Sequence, residues 1–204
     1  MRTAFATTRP AAFARIAAAA AMLGLLSACA GQGSVEAIYR LEPLRSVPGA
    51  AGTRSQILVP EPRALAAIAT ERIAVKPTAS SMSYYQRVAW ADTAPRVFQV
   101  LLLESLQNTG RVDAVGLPGQ SLLIDYQIVT EVRDFHIETY GADQARVSVS
   151  VKILNDRNGR VVAARVFDAT VPASGDSVDA AVRGIERAAQ TVIADIIEWV
   201  LATI

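Results

Sequence analysis

The chain has 204 residues, with 20 Lys+Arg against 19 Asp+Glu, one histidine and one cysteine. A net charge of +1 gives no basic footprint for nucleic acid. One cysteine forms no internal disulfide, and one Cys with one His does not complete a four-ligand structural zinc site.

The charge is unevenly placed. Arg2, Arg9 and Arg15 give residues 1–28 a charge of +3 with no acidic group, which leaves −2 for the remainder. Residues 16–26 form an apolar run rich in Ala and Leu. It is shorter than the roughly 20 apolar residues that cross a bilayer, and with the basic segment before it reads as the core of a signal peptide. Leu26-Ser27-Ala28-Cys29 follows at once. This tetrapeptide is similar to the lipobox of bacterial lipoproteins: an aliphatic residue, two small residues, then Cys. The resemblance implies cleavage before Cys29, a diacylglycerol on its thiol and acylation of the freed amine; two or three acyl chains anchor stably where one does not. Residues 1–28 are therefore expected to be a lipoprotein signal peptide and Cys29 the lipidation site. Ala30, in place of Asp, implies by the sorting rule of enteric bacteria the periplasmic face of the outer membrane.

Residues 29–56 are expected to be the lipidated N-terminus and a short tether. Gly31, Gly33 and Ser34 are flexible-linker residues, Ile38-Tyr39-Arg40-Leu41 alternates like a short strand, and Pro48-Gly49-Ala50-Ala51-Gly52 is a loop. One domain is expected over 57–204. Ile57-Leu58-Val59, closed by Pro60, and Arg72-Ile73-Ala74-Val75-Lys76 read as strands, and residues 82–90 as a third extended piece. Asp92 or Thr93 then caps a helix with Pro95 in its first turn. Val97, Phe98, Leu101, Leu102 and Ser105 recur at helical spacing, Val100, Leu103 and Leu106 make the helix apolar nearly all round, and Gly110 ends it.

Residues 112–115 form a short strand, and Leu117-Pro118-Gly119 turns the chain. Leu122, Ile124, Tyr126, Ile128, Thr130 and Val132 then alternate with polar residues, as do Val147, Val149, Val151 and Ile153. Asn158-Gly159 is a hairpin turn leading into a strand over 161–171, whose alternation breaks near Phe167 as at a bulge. The last helix has Asp176 and Ser177 as cap candidates and Asp179 in its first turn. Its apolar stripe, Val178, Val182, Ile185, Ala189, Val192, Ile196 and Val200, lies on a sheet, and its last turns, 199–204, are a second candidate contact for a partner or membrane. The expected fold is α+β: an antiparallel or mixed sheet with two main helices packed on one face.

No catalytic or cofactor motif is present. His136 is the single imidazole and sits in a strand-like run, which reads as a surface or edge-strand histidine. There is no Gly-x-Ser-x-Gly elbow, and Gly116 and Gly119 form no phosphate-binding fingerprint. Asp125 and Glu131 share the polar face of a strand, the ordinary solvent side of an antiparallel sheet. Aromatic residues are scarce, yet Tyr84, Tyr85 and Trp90 fall within seven residues. They form either a half-buried core edge or a recognition strip for a partner or lipid.

Several runs of residues together carry a second resemblance: Tyr39-Arg40-Leu41-Glu42-Pro43 after the lipobox, Arg72-Ile73-Ala74-Val75-Lys76-Pro77, Tyr84-Tyr85, Trp90-Ala91-Asp92-Thr93-Ala94-Pro95, Asn108-Thr109-Gly110-Arg111, Asp125-Tyr126, Arg133-Asp134-Phe135, Arg165-Val166-Phe167 and Ala169-Thr170-Val171-Pro172-Ala173. In this order they resemble the ABC-type transport auxiliary lipoproteins, which accompany Mce-domain lipid-transport systems. The resemblance implies a periplasmic domain on an outer-membrane anchor, with a Mce-domain periplasmic protein as partner and no enzymatic activity. An outer-membrane lipoprotein that activates another envelope machine, a peptidoglycan synthase or the lipopolysaccharide translocon, is the alternative on a similar fold. A monomer, dimer or ring is equally compatible with the sequence.

Overall fold

Three long strands carry the sheet: β7 (Tyr126–Glu138), β8 (Gln144–Asn155) and β9 (Arg160–Pro172), paired antiparallel in sequence order. The structure, a computed structural model, describes residues 34–204 apart from 50, 51, 121, 122, 174 and 176. Cys29 and the expected signal peptide lie outside the described residues. Val35–Ile204 forms one compact unit.

The period-2 pattern sets the two faces. Ala145, Val147, Val149, Val151 and Ile153 of β8 are fully buried, and the polar residues between them take the other face. The irregularity expected near Phe167 lies elsewhere. Phe167 stays opposite Val149 on the core side, edge-on to Trp199 at 5.4 Å, and the register slips between Val161 and Ala163 instead. β7 has its own slip between Val132 and Asp134. One extra residue, Arg133, moves the core side from Ile128, Thr130 and Val132 to Phe135 and Ile137. The strand also begins at Tyr126 rather than at Leu122.

The second edge of β7 is shared by three short parallel partners: β2 (Gln56–Leu58), β3 (Arg63–Ala64) and β4 (Arg72–Thr78). Pro60 and Pro62 lie between β2 and β3 and carry no N–H, so this segment cannot continue the ladder. β6 (Ala114–Gly116) adds to β2, β5 (Ser81–Trp90) pairs antiparallel with β4, and β1 (Ala37–Tyr39) lies parallel to β5. The result is a mixed, open, nine-stranded sheet.

Two helices cover its apolar face. α1 (Ala94–Thr109) has Pro95 in its first turn and ends at Gly110, whose φ of 61° is left-handed. Thr93 occupies the cap position without a side-chain bond. α2 (Val178–Thr203) is capped by Ser177, whose Oγ accepts from Ala180 N. Gly184 lets α2 approach β8: a Cβ there would lie 3.2 Å from Ala145 Cβ. Phe98, Leu102 and Leu106 of α1 and Ile185, Val192, Ile196 and Val200 of α2 are fully buried against the sheet.

The segment expected to be a tether is largely part of the fold. β1 joins the sheet, Leu41 and Val47 are buried, and residues 39–44 cross both helices as a strap. Tyr39 Oη donates to Asp179 Oδ1, Glu42 N to Glu186 Oε1, and Gln190 Nε2 to Glu42 O, all on α2. Toward α1, Arg40 pairs with Glu104, Leu44 N donates to Ser105 Oγ, and Asn108 Nδ2 donates to Leu44 O. The folded unit therefore begins at Val35 rather than at 57. The bonds that hold the strap join its backbone to distant side chains, and such bonds leave no periodic trace in sequence.

Candidate functional site

The aromatic residues before α1 do not form one strip. Between the pairs Arg72–Ala89 and Ala74–Tyr84, β5 holds three residues more than β4, and Arg87 within this bulge has φ 59°. The bulge separates the aromatics. Tyr84 lies opposite Ala74 on the face away from the helices, donates to Ala67 O at 3.0 Å, and lies under the Arg72 guanidinium at 3.8 Å from the ring centroid. Tyr85 is half-buried against the core, and burial pushes its phenol above the ordinary value. Trp90 points into the core, 2 % exposed and edge-on to Phe135 at 5.6 Å. Of the two readings of these aromatics, a core edge or a recognition strip, the single strip is not formed: Trp90 lies in the core, out of reach of any surface. Its Nε1 has no hydrogen-bond partner among the described residues.

The apolar recess on this side is formed by the residues beside Trp90. Ala91 and Asp92, with Arg40 and Leu41 of the strap and Arg96, Val97, Val100 and Leu101 of α1, line a notch of about 150 Å³. An apolar cavity of about this size accepts a benzene-sized group. Ion pairs flank it: Arg40–Glu104 at 2.9 Å on one side, and Arg96–Asp92 at 2.9 Å with Arg96–Glu61 at 3.1 Å on the other. These exposed pairs add little stability, but an apolar floor inside a polar rim is the build of a protein-binding pocket. The notch draws on two of the runs that carry the family resemblance, Tyr39-Arg40-Leu41 and Trp90-Ala91-Asp92. Sequence reading weighed the aromatic member of the second run and passed over its small and charged neighbours.

His136 is not at the surface. It is fully buried on β7, with Nε2 3.4 Å from Glu138 Oε1 and Nδ1 3.7 Å from Asp134 Oδ1. Burial holds the imidazole below its ordinary pKa, although both carboxylates pull it upward. Burial also pushes Glu138 up, but hydrogen bonds from Gln144, Tyr140 and His136 outweigh it and keep the carboxyl below its usual range. Arg146 Nε donates to Asp134 Oδ2 at 3.3 Å. Among the described residues the imidazole's hydrogen-bond partner is Glu138, and its Nδ1 has none. The cluster is a polar element of the sheet. Among the described residues no group of three or more His, Cys, Asp or Glu is placed to hold a metal ion. Nor is any described helix long and apolar enough to cross a membrane.

Comparison with known proteins agrees with this architecture. The family described as "ABC-type transport auxiliary lipoprotein component" matches residues 39–197, from the strap into the last turns of α2. The chain is 28 % identical over 157 residues to bll6063, an uncharacterised protein of Bradyrhizobium diazoefficiens. That alignment covers 77 % of the chain and 42 % of the relative, so the chain spans less than half of that protein's length. Among crystal structures, XCC0632 from Xanthomonas campestris, of the family DUF330, superposes with a TM-score of 0.76 at 26 % identity, covering 81 % of this chain and 95 % of that one. A second crystal structure, of a protein described only as uncharacterised, has a TM-score of 0.66 at 14 % identity, covers 82 % and 99 % of the two chains, and shares the fold.

Proposed function

The chain belongs to the family of ABC-type transport auxiliary lipoprotein components, and on that premise we propose that it serves, without enzymatic activity, as the outer-membrane-anchored auxiliary component of a lipid transporter and binds its Mce-domain periplasmic protein. The observation that carries this reading is the reach of the family match over residues 39–197, which includes the strap, the notch, α1 and most of α2. The lipobox supports the anchor: acyl chains on Cys29 would hold the unit at the periplasmic face of the outer membrane. The notch supports the contact, since it offers one apolar socket with a charged rim. In this role the folded unit recognises a partner and leaves chemistry to the transporter's other components.

The test is affinity capture of the full chain from detergent-solubilised envelopes. A Mce-domain protein is expected among the captured proteins, and Cys29→Ala is expected to release the chain from the membrane. Capture of a peptidoglycan synthase or a lipopolysaccharide translocon subunit in its place would overturn the lipid-transport reading. Continued firm membrane attachment of the Cys29→Ala chain would overturn the anchor.

A further inference from the structure

Directly opposed residues of paired strands share a face of the sheet. Arg63 lies opposite Glu131, Glu131 opposite Ser150, and Ser150 opposite Val166, so one row crosses β3, β7, β8 and β9 on the face away from the helices. Arg72, Lys76, Arg146 and Lys152 stand on the same face. Three of its carboxylates are taken up within it: Glu131 faces Arg133 at 3.8 Å, Asp134 holds Arg146 at 3.3 Å, and Glu138 accepts from Gln144 at 2.9 Å. Arg63 and Lys152 are exposed, make no ion pair among the described residues, and flank a recess of about 260 Å³. Two exposed aliphatic side chains lie among these charges: Ile38, 69 % exposed in the row of Arg72, and Val166, 47 % exposed. The helix side has the opposite sign, since α2 carries four acidic residues and two basic ones.

We propose that this open face lies on a bilayer surface bearing anionic phospholipid headgroups, in the membrane that holds the chain; the inference rests on the anchored reading given above. The anchor limits how far the unit can travel. Cys29 stands six residues before Val35, and six residues span at most about 20 Å. β7 alone, with 13 residues, is about 40 Å long. The unit is therefore held closer to the lipid than its own length, and a contact too weak to bind by itself is favoured by the high effective concentration. Charge selects the side. Arg63 and Lys152, free of carboxylate partners, are drawn to phosphate headgroups, whereas the acidic excess of α2 is repelled by them. Ile38 and Val166 enter the headgroup layer between the cations, the mixed build of a surface that rests on a membrane. The chain enters the fold through β1, which carries Ile38 on this face. With this face on the lipid, the strap and the notch point away from the bilayer, where a partner can reach them.

The test uses the acylated chain in vesicles of phosphatidylethanolamine with a minority of phosphatidylglycerol and a nitroxide-headgroup lipid as quencher. A fluorophore is attached at Val166→Cys, on the proposed face, or at Asp195→Cys, exposed on α2; the Cys29 thiol is closed by its own acyl thioether. Quenching at position 166 is expected to exceed that at position 195 several-fold. Lys152→Glu, and separately salt at about 0.5 M, where charges are screened within a few ångströms, are each expected to remove most of that difference while the chain still floats with the vesicles. Equal quenching at the two positions, or stronger quenching at 195, in a chain that floats would overturn the proposal and leave the anchor standing. A chain that does not float would overturn both. A label at 166 that responds to the protein-to-lipid ratio and not to the quencher would place a second copy on this face and overturn the proposal.

Discussion

The Tyr39 hydroxyl donates a 2.6 Å hydrogen bond to Asp179 Oδ1, joining β1 to the first turn of α2 across 140 residues of sequence. A carboxylate in the first turn is also favoured by the helix dipole. Tyr39→Phe removes the bond and is expected to cost at most about 1 kcal/mol, a few degrees in Tm for a chain of this size. The bond to Asp179, with burial beside it, raises the Tyr39 pKa above 10.0. The unfolded chain therefore releases this proton first, and the stability that the bond contributes is lost as pH rises above 10. Thermal melts at pH 8 and pH 10.5 should show the wild-type chain losing more stability than Tyr39→Phe over that interval.

Trp90→Ala is expected to destabilise by about 3–5 kcal/mol, because a fully buried indole leaves a cavity. Trp90→Phe should cost clearly less. Urea unfolding measures both. If Trp90→Ala unfolded at the wild-type urea midpoint, the core placement of the ring would be refuted.

His136 makes the fold acid-sensitive. Its folded pKa lies below 6.5, so on acidification the unfolded state takes up the proton first. The stability is complete above pH 6.5 and declines as pH falls below it. Glu138, held below 4.5 in the fold, adds a second loss as pH falls through 4.5. Asp134, Glu138 and Lys76 act on the imidazole, and Arg146 on Asp134. His136→Gln should flatten the first decline and leave the second, as read by Tm between pH 7.5 and pH 4. An unchanged profile between pH 7.5 and 5 would count against the buried neutral imidazole.

Val100 stands at the mouth of the notch, 37 % exposed. Val100→Asp should change stability by no more than about 1 kcal/mol, as an exposed helix substitution. It should nevertheless sharply reduce recovery of the Mce-domain partner in affinity capture. Full recovery with an unchanged melt would move the contact away from the notch.

The long elements were legible because each repeats one signal many times. β8 and β9 alternate over most of their length, and α2 repeats its stripe over 26 residues. His136 was misplaced for another reason: the residue added at Arg133 leaves it on the face away from the helices, and it is buried there beside Asp134 and Glu138, a covering that alternation does not reveal. For the aromatics the sequence left a core edge and a strip both open, because the three additional residues of β5 around Arg87, which turn Trp90 away from the face of Tyr84, leave no mark in a local pattern. Gly184, a glycine inside a helical pattern, is explained only by the nearness of Ala145, which no local window contains. The strap escaped notice because it depends on six side-chain bonds to two helices that the sequence places far downstream.

That strap also sets the order in which the molecule can assemble. Its bonds to α1 span 61 and 64 residues and those to α2 span 140 to 148. Contacts of such separation slow folding, because a long loop must close before they form. A chain emerging from its N-terminus has the strap long before α2, the last of the described elements. The N-terminal strand therefore locks only once α2 has been made, and the earliest-made part of this domain is among the last to become native.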